Sequence, residues 1–170
     1  MRKELAEAVA HLFAGRRPEP RAIGDEEIRR IDRAISLVVR LRGAIERDRA
    51  SREIEAVYGA EGTARIGLTL ERLLAGLDTL GLERTTALTV VEAVAMDSVP
   101  PTRRHAYEYL HNGGLAAATT STIAQALALP TNTVRRVLED LAAYHVIERR
   151  PQGAGKADLW ATVAWEEAEL

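Results

Sequence analysis

Pro130 interrupts two apolar patterns of helical period, and one helix cannot run through it. Proline has no N–H to give the preceding turn, and its ring collides with the carbonyl four residues back. On one side Ile123, Ala124 and Leu127 share a face. On the other, Val134, Val137, Leu138 and Leu141 recur at i, i+3, i+4 and i+7. The spacing predicts two short helices meeting at Leu129-Pro130-Thr131. Thr120 or Ser121 is placed to cap the first, and Thr131 to cap the second by accepting from the N–H of Thr133 or Val134.

The flanking residues extend the pattern. Pro100-Pro101 separates two modules, because the first proline sits outside a helix and the second fits the first turn of the next. A helix over 102–111 follows, with Ala106, Tyr107 and Leu110 inward, then a short strand over Leu115–Thr119. After the second helix, expected over about Asn132–Tyr144, Val146–Arg150 alternates as a strand. Pro151–Lys156 reads as a glycine-containing basic loop, and Leu159–Val163 returns as a second strand. The core expected for this region is Leu110, Ile123, Leu127, Val134, Leu138, Leu141, Ile147 and Trp160.

The run Thr122–Leu141, followed by Val146–Arg150, resembles the winged helix-turn-helix domains of bacterial transcription regulators. Ala124, Leu129, Val134, Leu138 and Leu141 stand where that family places small and apolar core residues. Two positions depart from it: Ala128 and His145 stand where the family often has glycine. The resemblance implies that the second helix lies in the major groove of double-stranded DNA. Asn132, Thr133, Arg135 and Arg136 would then face base edges, while Thr120, Ser121, Arg149, Arg150 and Lys156 meet the backbone. Thr131, at the same helix start, is a further DNA contact that the resemblance implies. The bland alternative pairs Arg135 and Arg136 with Glu139 and Asp140 as solvated helix residues.

Upstream, the sequence predicts a helical module over residues 1–98. It begins with an amphipathic helix over Arg2–Ala14 carrying Leu5, Val9, Leu12 and Phe13. A long helix from Asp25 to about Asp48 aligns Ile28, Ile31, Ile35, Val38 and Ile45, and a short one follows over Ser51–Tyr58. Thr63–Leu80 is leucine-rich on more than one stripe, and Thr85–Met96 supplies Leu88, Val91 and Ala95. Arg40, Arg42, Arg47 and Arg52 have Glu46, Asp48, Glu53 and Glu55 as neighbours, which predicts a salt-bridged surface. The segments Leu37–Asp48, Ser51–Glu55 and Asp97–Pro101 are similar to the helical region after the nucleotide-binding core of bacterial AAA+ or helicase-primase ATPases. No G-x-x-x-x-G-K-[ST] occurs in the chain, so that resemblance implies the C-terminal part of a larger replication or mobile-element protein.

Charge is uneven. Residues 101–163 hold seven Lys or Arg against five Asp or Glu, whereas an acidic tail over 165–170 closes the chain. There is no cysteine, hence no disulfide or thiolate metal site, and the default compartment is the cytoplasm. His11, His105, His111 and His145 are scattered without ligand spacing, and Asp97, Ser98 and His105 lack a strained nucleophile turn. We therefore expect a mainly α chain: a helical module over 1–98, then a winged helix over 100–164 with a small β-hairpin wing. It would bind duplex DNA in transcription regulation or replication, without enzymatic activity, cofactor, metal or membrane. Its helical module would self-associate or dock on an ATPase domain. The alternatives are an ATPase accessory part whose winged helix binds protein, and a regulator whose helical pocket senses a small ligand.

Overall fold

The computed structural model describes residues 2–15, 21–59, 62–113 and 117–163. The acidic tail lies outside them, as does Leu115 of the expected strand. The chain is mainly helical, with small antiparallel sheets. It divides into two compact units, one from residues 1–36 and 62–96 and the other from 37–61 and 97–170. The C-terminal unit thus takes in a segment that the sequence reading assigned to the helical module.

The first unit holds α1 (Arg2–Phe13), the first part of α2 (Asp25–Arg42), α3 (Thr63–Thr79) and α4 (Arg84–Asp97). Its buried apolar residues are Ile31 and Ile35 of α2, Ile66, Leu70 and Leu74 of α3, and Ala87, Leu88, Val91 and Ala95 of α4. Leu68 is 54% exposed, so α3 buries one stripe rather than the several its leucines suggested. α1 buries nothing: Leu5, Val9, Leu12 and Phe13 are all exposed. Arg84 ties α4 to the start of α2 and the end of α3. Its Nε and Nη2 donate to Glu27 Oε1 and Oε2 at 2.8 and 2.9 Å, and Nη1 donates to the buried Asp78 at 2.5 Å. The guanidinium and the Gly24 N–H hold the Glu27 carboxyl down at about 2.

In the second unit α2 continues through Val38, Val39 and Leu41, all buried, and stops at Arg42. The expected continuation to Asp48 and the helix over Ser51–Tyr58 are both corrected. β1 (Ile45–Arg47) pairs antiparallel with β2 (Ile54–Val57), with a bulge between Glu46 and Arg47. Gly43 follows the end of α2 and packs against Tyr144: a Cβ there would lie 2.0 Å from Tyr144 Cζ, so only glycine fits this close approach of backbone to ring. The turn is built locally, with Asp48 Oδ1 accepting from the N–H groups of Ala50 and Ser51 at 2.9 and 2.6 Å. Arg52 closes it at φ 64°.

The rest of the unit runs α5 (Pro101–Asn112), β3 (Ala118–Thr119), α6 (Thr120–Ala126), α7 (Thr131–Ala143), β4 (Ile147–Arg150) and β5 (Leu159–Thr162). The three strands form one sheet in the order β3-β5-β4, with Ile147 opposite Thr162 and Ala118 opposite Trp160. Helix, strand, helix, helix and a two-stranded wing follow one another as a winged helix requires. Of the expected core only Leu127 is left partly exposed. The caps differ from expectation. Thr119 caps α6, its hydroxyl accepting from the Thr122 N–H at 3.2 Å, because Thr120 and Ser121 already lie inside the helix. Pro130 precedes α7 with no side-chain cap, and Thr131 is its first residue rather than its cap.

Both departures from glycine have a structural consequence. Ala128 and His145 adopt φ 52° and 55°. Each ends a helix in a Schellman motif: Leu129 N–H bonds Ala124 O and Ala128 N–H bonds Gln125 O, while Val146 N–H bonds Leu141 O and His145 N–H bonds Ala142 O.

Candidate nucleic-acid interface

Helix α7 is amphipathic in the strict sense that its two faces have different chemistry. Val134, Leu138 and Leu141 are buried, whereas Thr131, Asn132, Thr133, Arg135 and Arg136 are exposed at its N-terminal half. Its two acids lie farther along, and neither is paired with those arginines. Arg47 of β1 donates to Glu139 Oε2 at 3.0 Å and to Asp140 Oδ1 at 2.6 Å, and Arg103 of α5 takes the other Asp140 oxygen at 3.0 Å. The bland pairing is thereby corrected: among the described residues Arg135 and Arg136 make no ion pair, and the helix carboxylates are neutralised from elsewhere.

The wing is more constrained. Arg149 lies against Asp158, with Nε donating at 2.5 Å, and its guanidinium stands 5.8 Å from the centroid of the Trp160 ring. Arg150 Nε donates to Glu148 at 2.6 Å. Lys156 sits at the tip between Gly155 and Ala157, exposed and without an ion pair among the described residues. Thr120 is half-buried, and its hydroxyl accepts from Trp160 Nε1 at 2.9 Å, which fastens α6 to β5. Ser121 is exposed at the start of α6, with Oγ 3.0 Å from Thr119 Oγ1.

One surface groove, of about 500 Å³, gathers part of this set. Asn132, Arg135, Arg136 and Glu139 of α7 and Arg149 of β4 face Arg47, Ser51, Arg52, Glu53 and Ile54 of the β1–β2 hairpin across it. Thr120, Ser121, Thr131, Thr133, Arg150 and Lys156 do not line it. The hairpin is the element that sequence reasoning missed. The signal was present in Ile45-Glu-Arg and Ile54-Glu-Ala-Val, where apolar and charged residues alternate with the period of a half-buried strand. The predicted local salt bridges of Arg47 are also corrected, since its partners lie on α7.

The hairpin is firmly held. Arg47 Nη1 also donates to Arg52 O at 2.9 Å and Nη2 to Arg136 O at 3.1 Å. Arg103 Nη1 reaches Leu41 O and Gly43 O at 3.1 and 2.6 Å. The Tyr144 hydroxyl lies 2.7 and 2.6 Å from the carbonyls of Ala44 and Tyr58 and shares its proton between them. Arg103 of α5, Arg47 of β1 and Tyr144 at the C-terminal cap of α7 thus bolt residues 41–58 to the winged helix.

Residues 103–163 match the family described as FaeA-like protein. About a third of the chain is similar to it, from within α5 to the end of β5. Neither a curated protein nor a solved structure gives a significant match. Among the described residues no helix is long and apolar enough to cross a membrane, and no group of three or more His, Asp or Glu is arranged to hold a metal ion.

Proposed function

We propose that this chain binds duplex DNA, with the N-terminal half of α7 in the major groove and the β4–β5 wing on the backbone, as a non-catalytic module of transcription regulation or replication. The observation that carries this reading is the division of charge on α7. Asn132, Thr133, Arg135 and Arg136 present donors that suit guanine and adenine edges, while the acids that would repel DNA are occupied by Arg47 and Arg103. The similarity to FaeA-like proteins supports a regulator-like DNA-binding domain. Lys156 supplies a phosphate contact from the wing tip and Ser121 one from the start of α6, while Arg149 and Arg150, whose charges are offset by Asp158 and Glu148, add hydrogen bonds to phosphates through the guanidinium N–H groups those pairs leave over.

Selection of bound duplexes from a random-sequence pool tests this directly. The chain is expected to enrich a short preferred sequence, and Arg135→Ala or Arg136→Ala to flatten that preference at a cost of about 1 to 3 kcal/mol on the enriched site. Equal enrichment by the parent chain and both variants would contradict base reading by α7.

A further inference from the structure

We infer that the β1–β2 hairpin is a second DNA-contacting arm, in which Arg52 and Arg49 at its turn hold phosphates of the strand that borders the α7 groove. This rests on the reading of α7 as the DNA-facing helix and adds a separate contact to it. The first ground is placement: Arg52 lines the same groove as Asn132, Arg135 and Arg136, on the opposite wall. The second is charge. Arg47 is spent on Glu139 and Asp140, and Arg149 on Asp158. What remains in the lining without an ion pair among the described residues is three arginines, Arg52, Arg135 and Arg136, against Glu53. A groove so lined attracts a polyanion along its length.

The third ground is rigidity. An arm that had to order itself on binding would lose part of the contact energy to entropy. Here the Arg47, Arg103 and Tyr144 hydrogen bonds fix the arm beforehand, and the Asp48 turn presents Arg49 and Arg52 exposed at its end. Arg52 is held at positive φ by that turn, a conformation that costs a side chain energy and that glycine would fill more cheaply. The arm also covers the outward face of α7 at Glu139 and Asp140, so base contact is confined to the helix's first turns.

The test uses the full chain and a fluorescent random-sequence duplex, titrated by anisotropy over a range of salt concentrations. Arg49→Gln with Arg52→Gln should lower the magnitude of the salt slope by about two units, at ~0.9 per phosphate, and to the same extent on duplexes of different sequence. Glu53→Gln should tighten binding, since it removes the carboxylate that faces the strand. An unchanged slope in the double arginine variant, while Lys156→Ala lowers it, would overturn the arm and leave DNA binding by α7 and the wing standing. A parent chain that does not bind duplex even at low salt would instead remove the proposed function, and the arm with it.

Discussion

Gly43→Ala is the smallest change that should unfasten the hairpin. The new methyl carbon would sit 2.0, 2.4 and 2.5 Å from three atoms of the Tyr144 ring. That ring is 7% exposed and its hydroxyl is engaged with Ala44 and Tyr58, so it cannot swing aside freely. Inserting a methyl into packed surroundings costs about 1–3 kcal/mol, and losing the shared hydroxyl hydrogen bond about 0.5–1.5 more. A loss of about 1.5–4.5 kcal/mol is therefore expected, a large part of the stability of a small domain. Urea unfolding of the full chain followed by circular dichroism measures it, with Tyr144→Phe as a reference that loses the hydroxyl alone, about 0.5–1.5 kcal/mol. Because the clash requires the ring, Gly43→Ala combined with Tyr144→Leu should be less destabilised than the two single changes added together. A cost under about 0.5 kcal/mol for Gly43→Ala, or strict additivity with Tyr144→Leu, would refute the packing argument.

Glycine at Ala128 or His145 should stabilise the chain by about 0.5–1 kcal/mol each, the relief of left-handed strain exceeding glycine's extra entropy; destabilisation in the same urea assay would contradict this. Glu27 and Glu83 are both held at about 2 from an ordinary 4.5, by Arg84 and by the Thr85 and Thr86 N–H groups respectively. Folded values below unfolded ones stabilise fully above about 4.5, and that contribution fades as pH falls from there towards 2. Melting temperature should drop across that window, and less steeply in Glu27→Gln; a parallel pH profile for that variant would count against the Arg84 pairing. A fragment of residues 97–163 leaves Arg103 and Tyr144 without their partners at Leu41, Gly43, Ala44 and Tyr58, so it should unfold at lower urea than the full chain. The exposed apolar face of α1 predicts self-association that Leu5→Glu with Val9→Glu removes; sedimentation of the parent as a monomer at high concentration would exclude it.

Much of the winged helix was legible in the residues because its constraints are local. A proline that breaks a helix, an i, i+3, i+4, i+7 stripe, and an alternating strand pair around a glycine loop each declare themselves within a dozen residues. The resemblance singled out Ala128 and His145 as standing where the family often has glycine, and both adopt positive φ. The hairpin was not legible because its deciding interaction is distant. Ile45–Val57 has charged and apolar residues that fit either a helix or a strand, and the contacts that hold it as a hairpin, Gly43 against Tyr144 and Arg47 on Glu139 and Asp140, come from about a hundred positions later. The same distance hid the site's electrostatics. Glu139 and Asp140 stand four residues beyond Arg135 and Arg136, a spacing that suggests pairing, yet Arg47 and Arg103 outcompete them by adding backbone carbonyls to the same guanidinium hydrogen bonds.

The central claim is that α7 and the wing form the surface that holds duplex DNA, and the salt dependence of binding by a triple variant tests it most directly. With Arg135→Ala, Arg136→Ala and Lys156→Ala in the full chain, affinity for a fluorescent duplex should fall on every sequence. The magnitude of the slope of log affinity against log salt should fall too, by about one unit for each removed cation that neutralises a phosphate. Binding that survives all three substitutions with an unchanged slope would mean that DNA is held elsewhere and that the winged helix serves a protein partner.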